Sequence, residues 1–107
     1  SFIEFLKTDS NGQFSVFIAK KKQIRGHHFH HSKVEKFLVI SGDGEFHMKD
    51  ISSNKKLEYK LDHKIPTVIE TIPGWQHYIK NIGKNELIVL LWSNEVYNVK
   101  KPDTYQI

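Results

Sequence analysis

Residues 26–42 read Gly-His-His-Phe-His-His-Ser-Lys-Val-Glu-Lys-Phe-Leu-Val-Ile-Ser-Gly, a histidine run joined to a strand pattern. The second half, Glu35 to Ser41, is rich in β-branched and aromatic residues and stops at a glycine, as strands do. The first half holds four of the chain's seven histidines. Side chains on a strand alternate between faces, so His28 and His30 share one face while His27, Phe29 and His31 take the other. A histidine run can be the remnant of a tag, but this one is internal and lies between strand-like segments.

The neighbouring segments repeat the two-residue period. In Gln13–Lys21, Phe14, Val16 and Ile18 fall on one face. Glu86–Trp92, Phe2–Leu6 and Thr67–Ile72 read as further strands, and His77 opens another. Turn signals stand at Ser10-Asn11-Gly12, Ser41-Gly42-Asp43-Gly44, Ser52-Ser53-Asn54, Ile72-Pro73-Gly74 and Ile82-Gly83-Lys84-Asn85. No segment carries a helical apolar stripe longer than two turns. The pattern is that of an all-β sandwich or barrel in a single domain. The tail Asn98–Ile107 is polar and contains proline, and is expected to lie along the surface.

Composition narrows the function classes. The 107 residues include no cysteine, which excludes disulfides and thiolate metal sites and fits a cytoplasmic setting. No apolar run reaches the roughly 18 residues that a membrane helix needs, and no signal peptide is visible. The net charge is +4, with the lysines scattered among acidic residues. No nucleic-acid partner is expected from that distribution; an anionic small molecule suits the charge equally well. The strand pattern begins almost at the first residue, so the chain reads as part of a longer one. Several runs are apolar on both faces, and Phe14, Phe17, Phe37–Ile40 and Ile88–Leu91 read as core or interface. A homodimer would cover the second face. Trp92 ends such a run and reads as core.

The chemistry gathers on the histidines. Two imidazoles at i and i+2 on one strand face can share a metal at about 2.0–2.1 Å from each nitrogen. Glu35 follows His30 by five residues, the wrong parity for an unbroken strand, so a bend or bulge is required between them. His77 follows the Pro73-Gly74 turn and supplies a fourth donor from a neighbouring strand. His28, His30, Glu35 and His77 then form a nitrogen and oxygen site for one divalent metal. Zinc, iron(II), manganese or nickel would fit, and affinity order does not decide among them; zinc is the expectation carried forward. The competing reading keeps these histidines as structural or substrate-binding groups with no metal.

Two spaced motifs make the pattern specific. H-x-H-x4-E-x6-G is met by His28, His30, Glu35 and Gly42, and P-G-x-x-H-x3-N by Pro73, Gly74, His77 and Asn81. Both resemble the signatures of the cupin superfamily, whose fold is a small jelly-roll β-barrel (double-stranded β-helix). Lys22 stands where that pattern has an upstream glycine, and Ile72 replaces a proline. The longer stretches at residues 25–46, 70–98 and 101–105 resemble the C-terminal cupin domain of capsular polysaccharide-type bifunctional UDP-sugar epimerase/reductases of the UDP-N-acetyl-L-fucosamine route.

That resemblance implies C3 epimerisation of a UDP-2-acetamido-2,6-dideoxy-4-hexulose. It also implies NADPH-dependent C4 reduction by a separate N-terminal short-chain dehydrogenase domain. This chain has no Gly-rich dinucleotide fingerprint after a strand, so NADPH belongs to that other domain. Arg25, beside Gly26, is expected to hold the substrate diphosphate, and Trp75 to stack on the base or sugar. Lys33 is the candidate for proton transfer, with His31 and Tyr78 placed by parity on the face away from the metal. Two other readings stay open: a metal-dependent dioxygenase or isomerase acting on another small molecule, and a non-catalytic sugar-nucleotide-binding module.

Overall fold

A computed structural model of the chain describes residues 2–7, 12–29, 34–94 and 105–106. Among them ten strands alternate with short turns: β1 (Phe2–Lys7), β2 (Gln13–Ala19), β3 (Ile24–Phe29), β4 (Glu35–Ser41), β5 (Asp43–Asp50), β6 (Lys56–Asp62), β7 (Val68–Glu70), β8 (Trp75–Asn81), β9 (Leu87–Ser93) and β10 (Tyr105–Gln106). They form two five-stranded sheets, in the orders β1-β2-β9-β4-β7 and β10-β3-β8-β5-β6. Every pairing is antiparallel. The all-β, single-domain expectation is met, and no helix among the described residues is long and apolar enough to cross a membrane.

The sheets face each other across a core drawn from both. Phe17, Phe37, Val39, Ile69, Leu87 and Val89 come from the first sheet, and Phe46, Met48, Leu61 and Ile79 from the second. The β2 register keeps Phe14, Val16 and Ile18 on one face and shows it to be the outer one. Gln13, Ser15, Phe17 and Ala19 are buried, whereas Phe14, Val16 and Ile18 are half-buried on the outer side. Cross-strand rows on that outer side run Phe14–Trp92–Lys36 and Val16–Leu90–Leu38–Val68. Trp92 is therefore not a core residue. It is half-buried beneath the Lys36 ammonium, which sits 5.8 Å from its ring centroid. Val68, at 59% exposure, leaves this outer apolar face open at one edge.

Strands β5 and β6, which the sequence pattern did not announce, form a hairpin. Its turn is held by Asp50, which accepts hydrogen bonds from the Ser53 and Ser52 hydroxyls. Those bonds, from Ser53 above all, lower the Asp50 pKa below its usual value. Tyr105 and Gln106 pair with Phe29 and His28, so this part of the tail is an edge strand of the second sheet.

The two motif regions find separate structural uses. Pro73-Gly74 forms the centre of a turn closed by Trp75 N–H donating to the Ile72 carbonyl at 3.0 Å. Gly74 has φ of 83° at the third position, the type II requirement. The Asn81 amide nitrogen donates to the Ala19 and Asn85 carbonyls, and its oxygen accepts from Gly83 N–H, each at 2.9 Å. The motif asparagine thus ties the β8–β9 turn to the end of β2. Lys22, where the resemblance expects glycine, occupies a left-handed position with φ of 66°.

Candidate metal and substrate site

The inner surface of the first sheet changes character along the strands. The row Gln13–Ser93–Glu35 is polar and buried, and the next rows inward are built on Phe37, Ile69, Phe17 and Val89. The chemistry lies at that polar end.

Glu35 is the first residue of β4, and its flanks are pinned on both sides. Thr71 N–H donates to the Glu35 carbonyl at 2.8 Å, and the Thr71 hydroxyl accepts from Glu35 N–H at 2.9 Å. One residue earlier, Val34 N–H donates to the Asn94 side-chain oxygen at 2.8 Å, and Asn94 N–H donates to the Val34 carbonyl at 3.1 Å. Neither Thr71 nor Asn94 was singled out from the sequence, because a lone hydroxyl or amide carries no spacing signal.

His77 meets Glu35 from the facing sheet, with Nε2 3.3 Å from Oε1. Both are buried, at 2% and 6% exposure. The imidazole stacks on Phe46 (centroids 6.0 Å, planes 8° apart) and takes the edge of Phe37 at 5.7 Å. Aromatic walls on two sides fix its plane and keep water from its faces.

The backbone of His28 is set opposite His77 by a register shift. Gly26 pairs with Tyr78, then His28 pairs with His77, leaving His27 as the extra residue of a bulge. The bulge depends on Gly26: φ is 120°, and a Cβ there would stand 2.7 Å from the His77 carbonyl oxygen. The sequence reading expected one break, between His30 and Glu35, and this one lies earlier. His30 and Lys33, with that expected bend, fall outside the described residues. Among the described residues no three histidines, aspartates or glutamates gather as a metal cluster; Glu35 and His77 are the pair that meets.

The donor chemistry of that pair fits a divalent metal. Two ligands about 2.0–2.1 Å from one ion lie roughly 3.3–3.4 Å apart at neighbouring corners of a tetrahedron and roughly 2.8–3.0 Å apart at those of an octahedron. The Glu35–His77 separation of 3.3 Å matches the tetrahedral value.

Arg25 is half-buried, and its guanidinium lies 5.5 Å from the Phe17 ring centroid. Phe17 meets Phe37 edge-on at 6.4 Å, and Phe37 meets His77, so two aromatic rings separate Arg25 from the pair. Trp75 precedes His77 by two residues on β8 and packs against the core. Tyr78 takes the opposite face, as parity required, and stacks on His47 at 4.5 Å. His47 is held at 2.5 Å by Glu45 and at 3.4 Å by Glu58.

A family model described as the polysaccharide biosynthesis C-terminal domain matches residues 1–105. The chain belongs to this family. Over 105 residues, 98% of its length, the chain is 45% identical to a UDP-2-acetamido-2,6-beta-L-arabino-hexul-4-ose reductase of Pseudomonas aeruginosa. Among solved structures, the capsular polysaccharide assembling protein CapF of Staphylococcus aureus superposes with a TM-score of 0.95 at 37% identity over 99% of this chain. It has also been solved with the inhibitor 3-isopropenyl-tropolone, at the same likeness. The chain spans only 28% and 31% of the length of these two relatives. A dTDP-4-dehydrorhamnose 3,5-epimerase of Elizabethkingia anophelis superposes with a TM-score of 0.76 over 89% of this chain at 14% identity, a likeness of fold alone. The fold of this family member is that of a cupin.

Proposed function

We propose that this domain catalyses metal-dependent C3 epimerisation of a UDP-2-acetamido-2,6-dideoxy-4-hexulose within a longer sugar-nucleotide enzyme. The observation that carries the reading is the buried Glu35–His77 pair at the polar end of the barrel, with His28 at the register position beside His77. The 45% identity to a protein named for a hexul-4-ose substrate supplies the substrate class.

The roles divide as follows. His28, His30, Glu35 and His77 hold the metal, zinc by expectation. When bound, it supplies Lewis-acid stabilisation of negative charge developing on the C4 oxygen. The C3 proton is acidic because it lies α to the C4 ketone, and inversion requires its removal on one face and its return on the other. Lys33 is assigned to proton transfer. Arg25 takes the diphosphate, for which a guanidinium offers paired donors. Phe37 and Phe46 exclude water from the imidazole faces, and Trp75 flanks the sugar. Reduction at C4 with NADPH belongs to a separate domain of the longer, cytoplasmic protein.

A homodimer accompanies this reading. The outer rows of the first sheet hold half-buried Phe14, Val16, Leu38, Leu90 and Trp92 beside exposed Val68, an apolar face that a second copy would cover. A sedimentation mass equal to one chain would remove that part of the proposal.

The test of the activity is solvent deuterium. The zinc-loaded protein, given the 4-keto sugar nucleotide in deuterium oxide, is expected to place deuterium at C3, and Glu35→Gln to abolish this. If deuterium never enters while metal is bound, the epimerase reading fails. Oxygen uptake on the same substrate would favour the dioxygenase reading instead.

A further inference from the structure

Gln13 occupies a place in the barrel that the fold alone does not account for. It begins the inner row of β2, ahead of Ser15, Phe17 and Ala19, and is 8% exposed. Its register partner is Ser93, and the partner of Ser93 on the other side is Glu35. Gln13 and Glu35 therefore stand in one cross-strand row, two strand spacings or about 10 Å apart across the sheet.

The carboxamide is half-used. Its nitrogen donates to the Ser15 hydroxyl at 3.2 Å. Its oxygen is sealed from solvent and has no hydrogen-bond partner among the described residues. Leaving such an acceptor unpaired is costly, and an apolar side chain of the same length would avoid that cost. The mount is rigid. A Cβ on the preceding Gly12 would stand 2.3 Å from the Ser93 carbonyl oxygen, so the backbone entering Gln13 is pressed against β9. A stiffly held, buried acceptor without a partner, in the same cross-strand row as Glu35, has the character of a ligand contact.

We propose that the Gln13 side-chain oxygen accepts a hydrogen bond from an O–H or N–H group of the sugar that enters beside Glu35 and His77. This rests on the sugar-nucleotide reading above and adds a positioning residue to it. An acceptor attracts hydroxyl and acetamido donors and repels a ketone oxygen. Gln13 thereby turns the donor-bearing edge of the ring toward β2 and leaves the C4 ketone to face Glu35 and His77.

The experiment compares wild type, Gln13→Leu and Gln13→Met, all zinc-loaded. Calorimetry measures binding of UDP and of UDP-2-acetamido-2,6-dideoxy-4-hexulose, alongside metal content and thermal midpoint. Both variants are expected to keep wild-type metal content and UDP affinity and an equal or higher midpoint. Each should bind the sugar nucleotide at least fivefold more weakly. Repeating the titration with the 2-hydroxy counterpart separates the donors: a loss confined to the acetamido sugar assigns its N–H, and an equal loss assigns a hydroxyl. If both variants bind the sugar nucleotide as wild type does, the role of Gln13 is overturned while the site reading stands. A lowered midpoint with unchanged sugar affinity overturns it in favour of a structural role. If wild type binds no sugar nucleotide, the functional reading fails and takes the Gln13 assignment with it.

Discussion

Thr71 holds the backbone of Glu35 at both its N–H and its carbonyl, through bonds of 2.9 and 2.8 Å. The pair joins the end of β7 to the start of β4, so the orientation of the candidate carboxylate ligand depends on a residue that does not touch the metal position itself. Thr71→Val keeps the shape but leaves Glu35 N–H without this acceptor. Loss of the bond should lower stability by about 1–3 kcal/mol. It should also weaken zinc about tenfold or more, the usual effect of losing a group that orients a ligand. Urea unfolding and a chelator-competition titration measure the two effects. Thr71→Ser, which keeps the hydroxyl, should restore most of both; equal losses in Ser and Val variants would refute the role of this bond.

Gly26 sets the position of His28. Its φ of 120° and the 2.7 and 2.8 Å approaches of His77 and Tyr78 backbone atoms leave no room for a methyl group. Gly26→Ala should cost about 2–3 kcal/mol through backbone strain alone. Because the bulge brings His28 opposite His77, zinc affinity should fall together with stability. A variant with normal zinc affinity would show that the bulge does not set the site.

Lys22 offers the opposite case. It sits third in the turn closed by Gln23 N–H donating to the Lys20 carbonyl, with φ of 66°. A non-glycine residue there costs about 1–2 kcal/mol of left-handed strain, offset in part by the greater freedom of glycine in the unfolded chain. Lys22→Gly should raise stability by about 0.5–1 kcal/mol in urea unfolding, with zinc content unchanged. A loss of stability would contradict the strain argument.

These positions mark what the sequence could and could not say. The period-2 pattern of β2 and β9 was legible, but which face lay inside was not. The outer rows through Phe14, Val16 and Leu90 are as apolar as the core, so hydrophobicity does not choose between them. Strand β6 was missed because it lies at a sheet edge and only Leu61 of its seven residues is buried. The motif spacing singled out Glu35 and His77, which the fold brings to 3.3 Å of each other. It could not foresee the bulge at Gly26, because a glycine shows the freedom to bulge and not the register that results. Thr71 and Gln13 escaped for a related reason: each acts through a cross-strand neighbour that only the folded register supplies.

The Glu35–His77 pair leads to a prediction about metal removal. Both groups are buried and their donor atoms lie 3.3 Å apart, so an ion held between them binds the folded chain and not the unfolded one. Zinc at a hundred times its Kd should stabilise the fold by about 2.7 kcal/mol. For a domain of this size that corresponds to a rise in Tm on the order of 10 °C, reversed by a chelator. Glu35→Gln should reduce the rise to near zero, because the amide is a poor ligand and the carboxylate charge is lost. The double variant His27→Ala/His31→Ala tests strand parity by the same measurement. Those two histidines are assigned to the face away from the site, so their removal should leave the zinc-dependent rise intact. A rise that survives Glu35→Gln but disappears in the double variant would place the metal on the outer face of the histidine run and remove it from the barrel.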